Sequence, residues 1–123
     1  GYNYYSTVDV VTDYNTGLCG FVIITQKGSG DATGAPEDVD FEGFLLASVI
    51  DETKSYYFED NISTYLHGNT TDLESDSFQE SNLMHSFNGY LYGNMPRINI
   101  GQGDHVRWYV CALGEGSHTI LWN

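Results

Sequence analysis

His105-Val106-Arg107-Trp108-Tyr109-Val110-Cys111-Ala112-Leu113 is the stretch from which the rest of the chain is read. Side chains of an extended strand alternate between two faces, so Val106, Trp108, Val110 and Ala112 share one face while His105, Arg107, Tyr109 and Cys111 share the other. The β-branched and aromatic content predicts a long strand, with Gly101-Gln102-Gly103-Asp104 as the turn that feeds it.

Working outward, Phe41 to Ile50 predicts a second strand of about ten residues. Asp51-Glu52-Thr53 follows it as a turn or a helix start. Gly20-Phe21-Val22-Ile23-Ile24-Thr25 is an unbroken apolar run of strand length. Tyr90 to Tyr92 and Arg97 to Ile100 predict short strands separated by Gly93-Asn94-Met95-Pro96. Tyr56 to Leu66 suits either a short helix or an extended aromatic segment, and residues 67 to 82 predict a polar, mobile loop. Residues 27 to 40 are Gly-rich and acidic and predict a linker or a long surface loop. Short strands punctuated in this way predict an all-β Greek-key sandwich.

The composition limits what such a domain can do. At 123 residues the chain suits one modest domain, and 41% hydrophobic with 15% aromatic content supplies a core. Seventeen Asp and Glu against four Lys and Arg give a net charge of -13. That field repels phosphate backbones, which excludes nucleic acid as a natural partner, and it attracts cations. No apolar run approaches the roughly 20 residues that span a bilayer. Asn61-Ile62-Ser63 and Asn69-Thr70-Thr71 are N-glycosylation sequons, which predicts a secreted, extracellular glycoprotein. Cys19 and Cys111 each sit in an apolar run and read as buried thiols; a disulfide between them stays open. No Gly-x-Ser-x-Gly elbow organises a hydrolase, and Gly101-Gln102-Gly103 lacks the Lys and helix of a phosphate loop.

Two longer segments are more specific. Glu80-Ser81-Asn82-Leu83-Met84-His85-Ser86-Phe87-Asn88-Gly89-Tyr90-Leu91-Tyr92-Gly93-Asn94-Met95-Pro96, followed by Gly103-Asp104-His105-Val106-Arg107-Trp108-Tyr109-Val110, resembles the start of a cupredoxin domain in the ceruloplasmin and hephaestin family of multicopper ferroxidases. Tyr4-Tyr5-Ser6-Thr7-Val8-Asp9 with Thr16-Gly17-Leu18-Cys19-Gly20 resembles the end of the preceding domain, and Asp60-Asn61-Ile62-Ser63-Thr64-Tyr65 also matches. The resemblance implies a cupredoxin-like Greek-key β-sandwich in incomplete form. Residues 1–26 would be the last strands of one cupredoxin domain, 27–40 a linker, and 41–123 the first part of the next. Other segments or chains would complete both domains.

The resemblance also implies candidate ligands. His118 stands where the family's His-Thr strand supplies an imidazole to type 1 copper, the cofactor. Glu80 and His85 keep a Glu-x-x-x-x-His spacing that, with Glu115, would hold ferrous iron as substrate. Domains that serve the trinuclear copper cluster carry His-Thr-x-His-x-His and His-Ser-His; this chain has Leu121, Asn123 and Tyr5-Ser6-Thr7 there. The implied function is therefore a segment of a secreted Fe(II)-oxidising, dioxygen-reducing enzyme that offers no cluster ligand and no catalytic residue of its own. The alternative is a non-catalytic binding glycoprotein, since the A-type domains of clotting cofactors five and eight are homologous. Without the resemblance, His118 is a strand histidine, Glu80 a solvated acid and His85 a loop histidine.

Overall fold

The computed structural model describes residues 1–114 and residue 121. The elements run β1 (Tyr2–Tyr5), α1 (Val10–Asn15), β2 (Cys19–Val22), β3 (Phe41–Asp51), a 3-10 turn (Glu52–Lys54), α2 (Phe58–Tyr65), α3 (Asp76–Ser81), β4 (Leu83–Phe87), β5 (Tyr90–Leu91) and β6 (Val106–Leu113). Both long strands read from the sequence are present, as β3 and β6. They are neighbours: β6 pairs with β3 in parallel, from Phe41 opposite Val106 to Ser48 opposite Leu113. On its other side β3 takes β4 antiparallel, with Val49 opposite His85, and β5 extends the sheet to the order β5-β4-β3-β6. A parallel neighbour needs a long crossover, and α2, α3, β4 and β5 lie within the one that joins β3 to β6.

β1 and β2 form a separate antiparallel pair, Tyr2 opposite Val22 to Tyr5 opposite Cys19. Between them the chain turns through α1. Asp9 caps the helix by accepting from the Thr12 N–H at 3.2 Å. Gly17, at φ 98°, ends it, as helices often end on a left-handed glycine. The two-stranded sheet meets the larger one through aromatic rings: Phe21 lies 5.9 Å from Phe44, which stacks on Tyr109 at 5.1 Å. This is a β-rich, layered fragment of a cupredoxin-like sandwich.

Three expectations need correction. The polar stretch 67 to 82 is not loop throughout, because α3 forms where Ser75 caps the Phe78 N–H and Phe78 sets its ring against Phe58 at 6.4 Å. Arg97 to Ile100 forms no strand. Pro96 at its entry lacks the N–H that a ladder would use. The apolar run at Gly20 to Thr25 leaves its strand at Val22, where pairing with β1 ends. The aromatic stretch that suited either of two forms becomes α2, and Asp51 caps the 3-10 turn by accepting from the Thr53 N–H at 3.0 Å.

The core is thin. Ala47 and Val49, both on β3, are the only buried hydrophobic side chains among the described residues, whereas Tyr2, Tyr4, Tyr5, Val8 and Ile24 are exposed. Polar bonds therefore carry much of the tertiary structure. Asn88 joins the β4–β5 turn to β3 by accepting from the Leu46 N–H at 2.7 Å and donating to the Phe44 carbonyl at 2.8 Å. The acidic segment 27–40 is tethered to β6: Asp38 takes a two-pronged bond from Arg107, at 2.6 and 3.2 Å, and Asp40 accepts from the His105 N–H at 2.8 Å.

Close approach of β3 and β6 rests on Gly43. A Cβ there would lie 2.3 Å from the Trp108 ring, which also meets Phe41 edge-on at 6.2 Å. Gly43→Ala should force that ring aside and cost about 1–3 kcal/mol, read as faster hydrogen exchange of the β3 amides. Unchanged exchange would show that the ring is free to move.

Acid should act through named carboxyls. A hydrogen bond from Ser6 holds the Asp13 carboxyl below its ordinary value of 3.8, one from Arg107 does the same for Asp38, and bonds from Thr33 do so for Asp31. A depressed folded value stabilises the fold fully above the unfolded value near 3.8, and the contribution is lost as pH falls through the folded value. Ser6→Ala should therefore destabilise the fold at about pH 7 and matter progressively less below about pH 3. An equal loss at both pH values, in acid-titrated hydrogen exchange, would show that Asp13 charge is not involved.

Candidate functional site

The last turn of α1 directs three side chains at the end of β3 and the turn beyond it. The Tyr14 hydroxyl donates to the Val49 carbonyl at 3.1 Å, and the Asn15 side-chain oxygen accepts from the Asp51 N–H at 2.8 Å. Thr16 accepts from the Tyr56 N–H at 3.1 Å. Beneath them Asp13 is buried, accepting from the Ser6 hydroxyl and from the Asp9 N–H. Each of these bonds satisfies a group that the thin core would otherwise leave unpaired.

This clamp walls a cleft of about 480 Å³ whose lining includes Tyr5, Tyr14, Val49, Asp51, His85 and Leu113. It is mostly apolar, with charge at one edge. Burial pushes the Asp51 carboxyl up, but bonds from Lys54, 2.8 Å away, and from Thr53 outweigh it and hold the group below its ordinary value.

One sequence-predicted site residue lies in this cleft. His85 is on β4 opposite Val49, not in a loop, and the residue also borders a second cleft that includes Ser48, Phe87, Tyr92 and Met95. Glu80 is exposed on the last turn of α3 and does not line either cleft. The helix end at Ser81 and Asn82 separates the two residues. Glu115, His118 and Asn123 lie outside the described residues; Leu121 is described and exposed. Among the described residues no three His, Cys, Asp or Glu side chains gather closely enough to hold a metal ion. Those residues therefore do not by themselves fit a type 1 copper set, which requires two imidazoles and a thiolate together.

The two sequons differ. Asn61 is half-buried in α2 with its N–H bonded to the Tyr57 carbonyl at 2.9 Å. Asn69 is exposed, and its side-chain oxygen accepts from both the N–H and the hydroxyl of Thr71, at 3.1 and 2.7 Å. No described helix is long and apolar enough to cross a membrane.

Cys19 and Cys111 are free thiols, each half-buried rather than fully enclosed. Burial raises both; Cys19 is raised further by Cys111. The Tyr14 hydroxyl is raised first by burial and then by both thiol groups. The clamp formed by Tyr14, Asn15 and buried Asp13 was not read from the sequence, although Asp9 and Gly17 bracket α1 with ordinary start and stop signals.

No protein-family model matches the chain. Its sequence is 45% identical to ceruloplasmin of Rattus norvegicus over 113 residues, which cover 91% of this chain and 11% of that protein. It is 42% identical to hephaestin of Homo sapiens over 123 residues, covering 95% of this chain and 10% of that protein. It is 40% identical to the ferroxidase HEPHL1 of Homo sapiens, with 98% of this chain and 11% of that protein covered. The chain thus spans about a tenth of the length of these curated relatives. Likeness at this level along nearly the whole chain, on a β-rich layered fold, places it in the ceruloplasmin and hephaestin family of multicopper oxidases.

Proposed function

We propose that this chain serves as a structural and iron-handling segment of an extracellular multicopper ferroxidase, which oxidises Fe(II) and reduces dioxygen. The observation that carries this reading is the 40–45% identity to ceruloplasmin, hephaestin and a protein named as a ferroxidase. The net charge of -13 supports it by favouring cation approach. In this reading β3, β4 and β6 supply the cupredoxin sheet. Other segments of the parent protein cover the tyrosines and valines that β1, β2 and α1 leave exposed.

The iron side of the reaction falls to Glu80 and His85. A carboxylate and an imidazole suit iron as oxygen and nitrogen ligands, and an anionic ligand favours the more highly charged ferric product. Glu115 would add a second carboxylate. Copper, which His118 would help to hold, supplies the electron acceptor of such an oxidase. Glu80→Ala and His85→Ala in the intact protein should each raise the KM for Fe(II) about tenfold or more while leaving oxidation of a bulky organic reductant intact. An unchanged KM for Fe(II) in both variants would remove these residues from iron binding.

A second reading, a non-catalytic glycoprotein on the same scaffold, rests on Tyr5-Ser6-Thr7 and on Leu121 and Asn123 in place of cluster histidines. Absence of Fe(II) turnover in the intact, metal-loaded protein would favour it.

Glycosylation belongs to the extracellular reading. Asn69, exposed and folded back on Thr71, presents a more accessible acceptor than Asn61 within α2. Glycopeptide mass spectrometry should find higher occupancy at Asn69 than at Asn61, and Asn69→Gln should remove that glycan. Higher occupancy at Asn61 would contradict this ranking.

A further inference from the structure

Segment 27–40 holds its shape largely through its own bonds. The Asp31 side chain organises it, accepting from the Thr33 N–H at 2.7 Å, the Thr33 hydroxyl at 2.6 Å and the Ala35 N–H at 3.0 Å. Backbone bonds close the loop around that centre. The Asp31 N–H donates to the Ala35 carbonyl at 2.9 Å, the Gly34 N–H to the Asp31 carbonyl at 3.0 Å and the Glu37 N–H to the Ser29 carbonyl at 3.1 Å. Gly34, at φ 88°, makes the reversal that these bonds require. The segment is thus a preformed loop, not a slack tether.

A second set of bonds fastens this loop to the rest of the chain. Near its start the Thr25 hydroxyl donates to the Gly34 carbonyl at 2.7 Å, and Pro36 is buried. At its end the Asp40 N–H donates to the His105 carbonyl at 2.8 Å, and the Asp40 carboxylate accepts from the His105 N–H at 2.8 Å. Between these two feet the Arg107 guanidinium forks onto both Asp38 oxygens, at 2.6 and 3.2 Å. The loop forms one wall of a cleft of about 460 Å³ whose lining includes Ile23, Thr25, Pro36, Asp38, Arg107 and Tyr109. The stretch that follows β2 and the start of β6 form the other walls.

We propose that segment 27–40 is a strap latched by Arg107 over the cleft between Ile23 and Tyr109, and that ionic strength sets how firmly it is shut. The strap carries Asp31, Glu37, Asp38 and Asp40. Withdrawing the guanidinium leaves these carboxylates to repel one another and to lift the strap from β6. The two-pronged geometry makes the pair stronger than a single contact. Its side chains are nevertheless 39% and 67% exposed, so dissolved ions reach and screen it. Burial of Pro36 is an apolar contact that such screening does not weaken, which keeps the closed strap the resting form. Because the Asp31 bonds lie within the loop, the strap moves as a unit when the latch opens. The device uses no metal ligand and stands apart from the ferroxidase reading.

Hydrogen exchange of the intact native protein at low and high sodium chloride tests this directly. Salt should speed exchange of the Asp40 and His105 amides about two- to fivefold, while the Asp31, Gly34 and Glu37 amides keep their protection. Arg107→Gln should give the fast exchange already at low salt and abolish the salt response. The charge-swapped pair, Asp38→Arg with Arg107→Asp, should restore both, a rescue that lost packing alone would not produce. Equal exchange at the two salt concentrations in the unaltered protein would overturn the proposal, and that comparison needs no variant to fold. A salt response that persists in Arg107→Gln would remove Arg107 as the latch. Loss of protection along the whole segment at high salt would show that the loop has no structure of its own, which would overturn movement as a unit.

Discussion

Everything in this fold hangs from the pairing of β3 with a parallel neighbour. β3 is bonded along one edge to β6 and along the other to β4, and it holds both buried apolar side chains of the described residues. Such a strand can be reached from both sides only if its faces admit close partners. Gly43 under the Trp108 ring and the Ser48–Ser86 hydroxyl contact at 2.9 Å are the local results. The remaining elements attach to β3 by polar bonds more than by buried area. α1 holds its end through Tyr14 and Asn15, and the β4–β5 turn holds its middle through Asn88.

That dependence links stability to the functional reading. The cleft containing His85 exists because the α1 clamp and β4 meet at the same end of β3. The core is thin and many aromatics are exposed, and the chain spans about a tenth of the length of the curated relatives it matches. Family membership is shown for the chain itself. Within the described residues the segment contributes the sheet frame and a cleft lined in part by His85.

How much of this was legible in the sequence depended on range. β3 and β6 were visible because alternation and β-branched content are local signals. A turn or helix start at Asp51-Glu52-Thr53 was visible for the same reason, whereas the Asp51 cap itself came from the structure. α3 was hidden in an acidic stretch because its stability comes from the Phe58–Phe78 contact, which links residues 20 apart (78 minus 58) that composition alone does not connect. The strand expected at Arg97 to Ile100 failed because β-branched residues without a partner do not make a ladder, and Pro96 withholds a donor. His85 and Glu80 were singled out as iron candidates by spacing within a family resemblance, and of the two His85 lines the cleft. Their placement on a strand and on a helix end, and the Tyr14 and Asn15 bonds to backbone 35 and 36 residues away, arise only from the tertiary fold.

The most direct test of the central claim is metal analysis of the intact native protein, joined to its visible absorption spectrum. The account predicts stoichiometric copper with the intense blue absorption of a thiolate bound to Cu(II), lost on reduction and restored by dioxygen. A colourless protein that takes up no copper when loaded would contradict it, and would leave the cupredoxin frame serving recognition or assembly instead of oxidation.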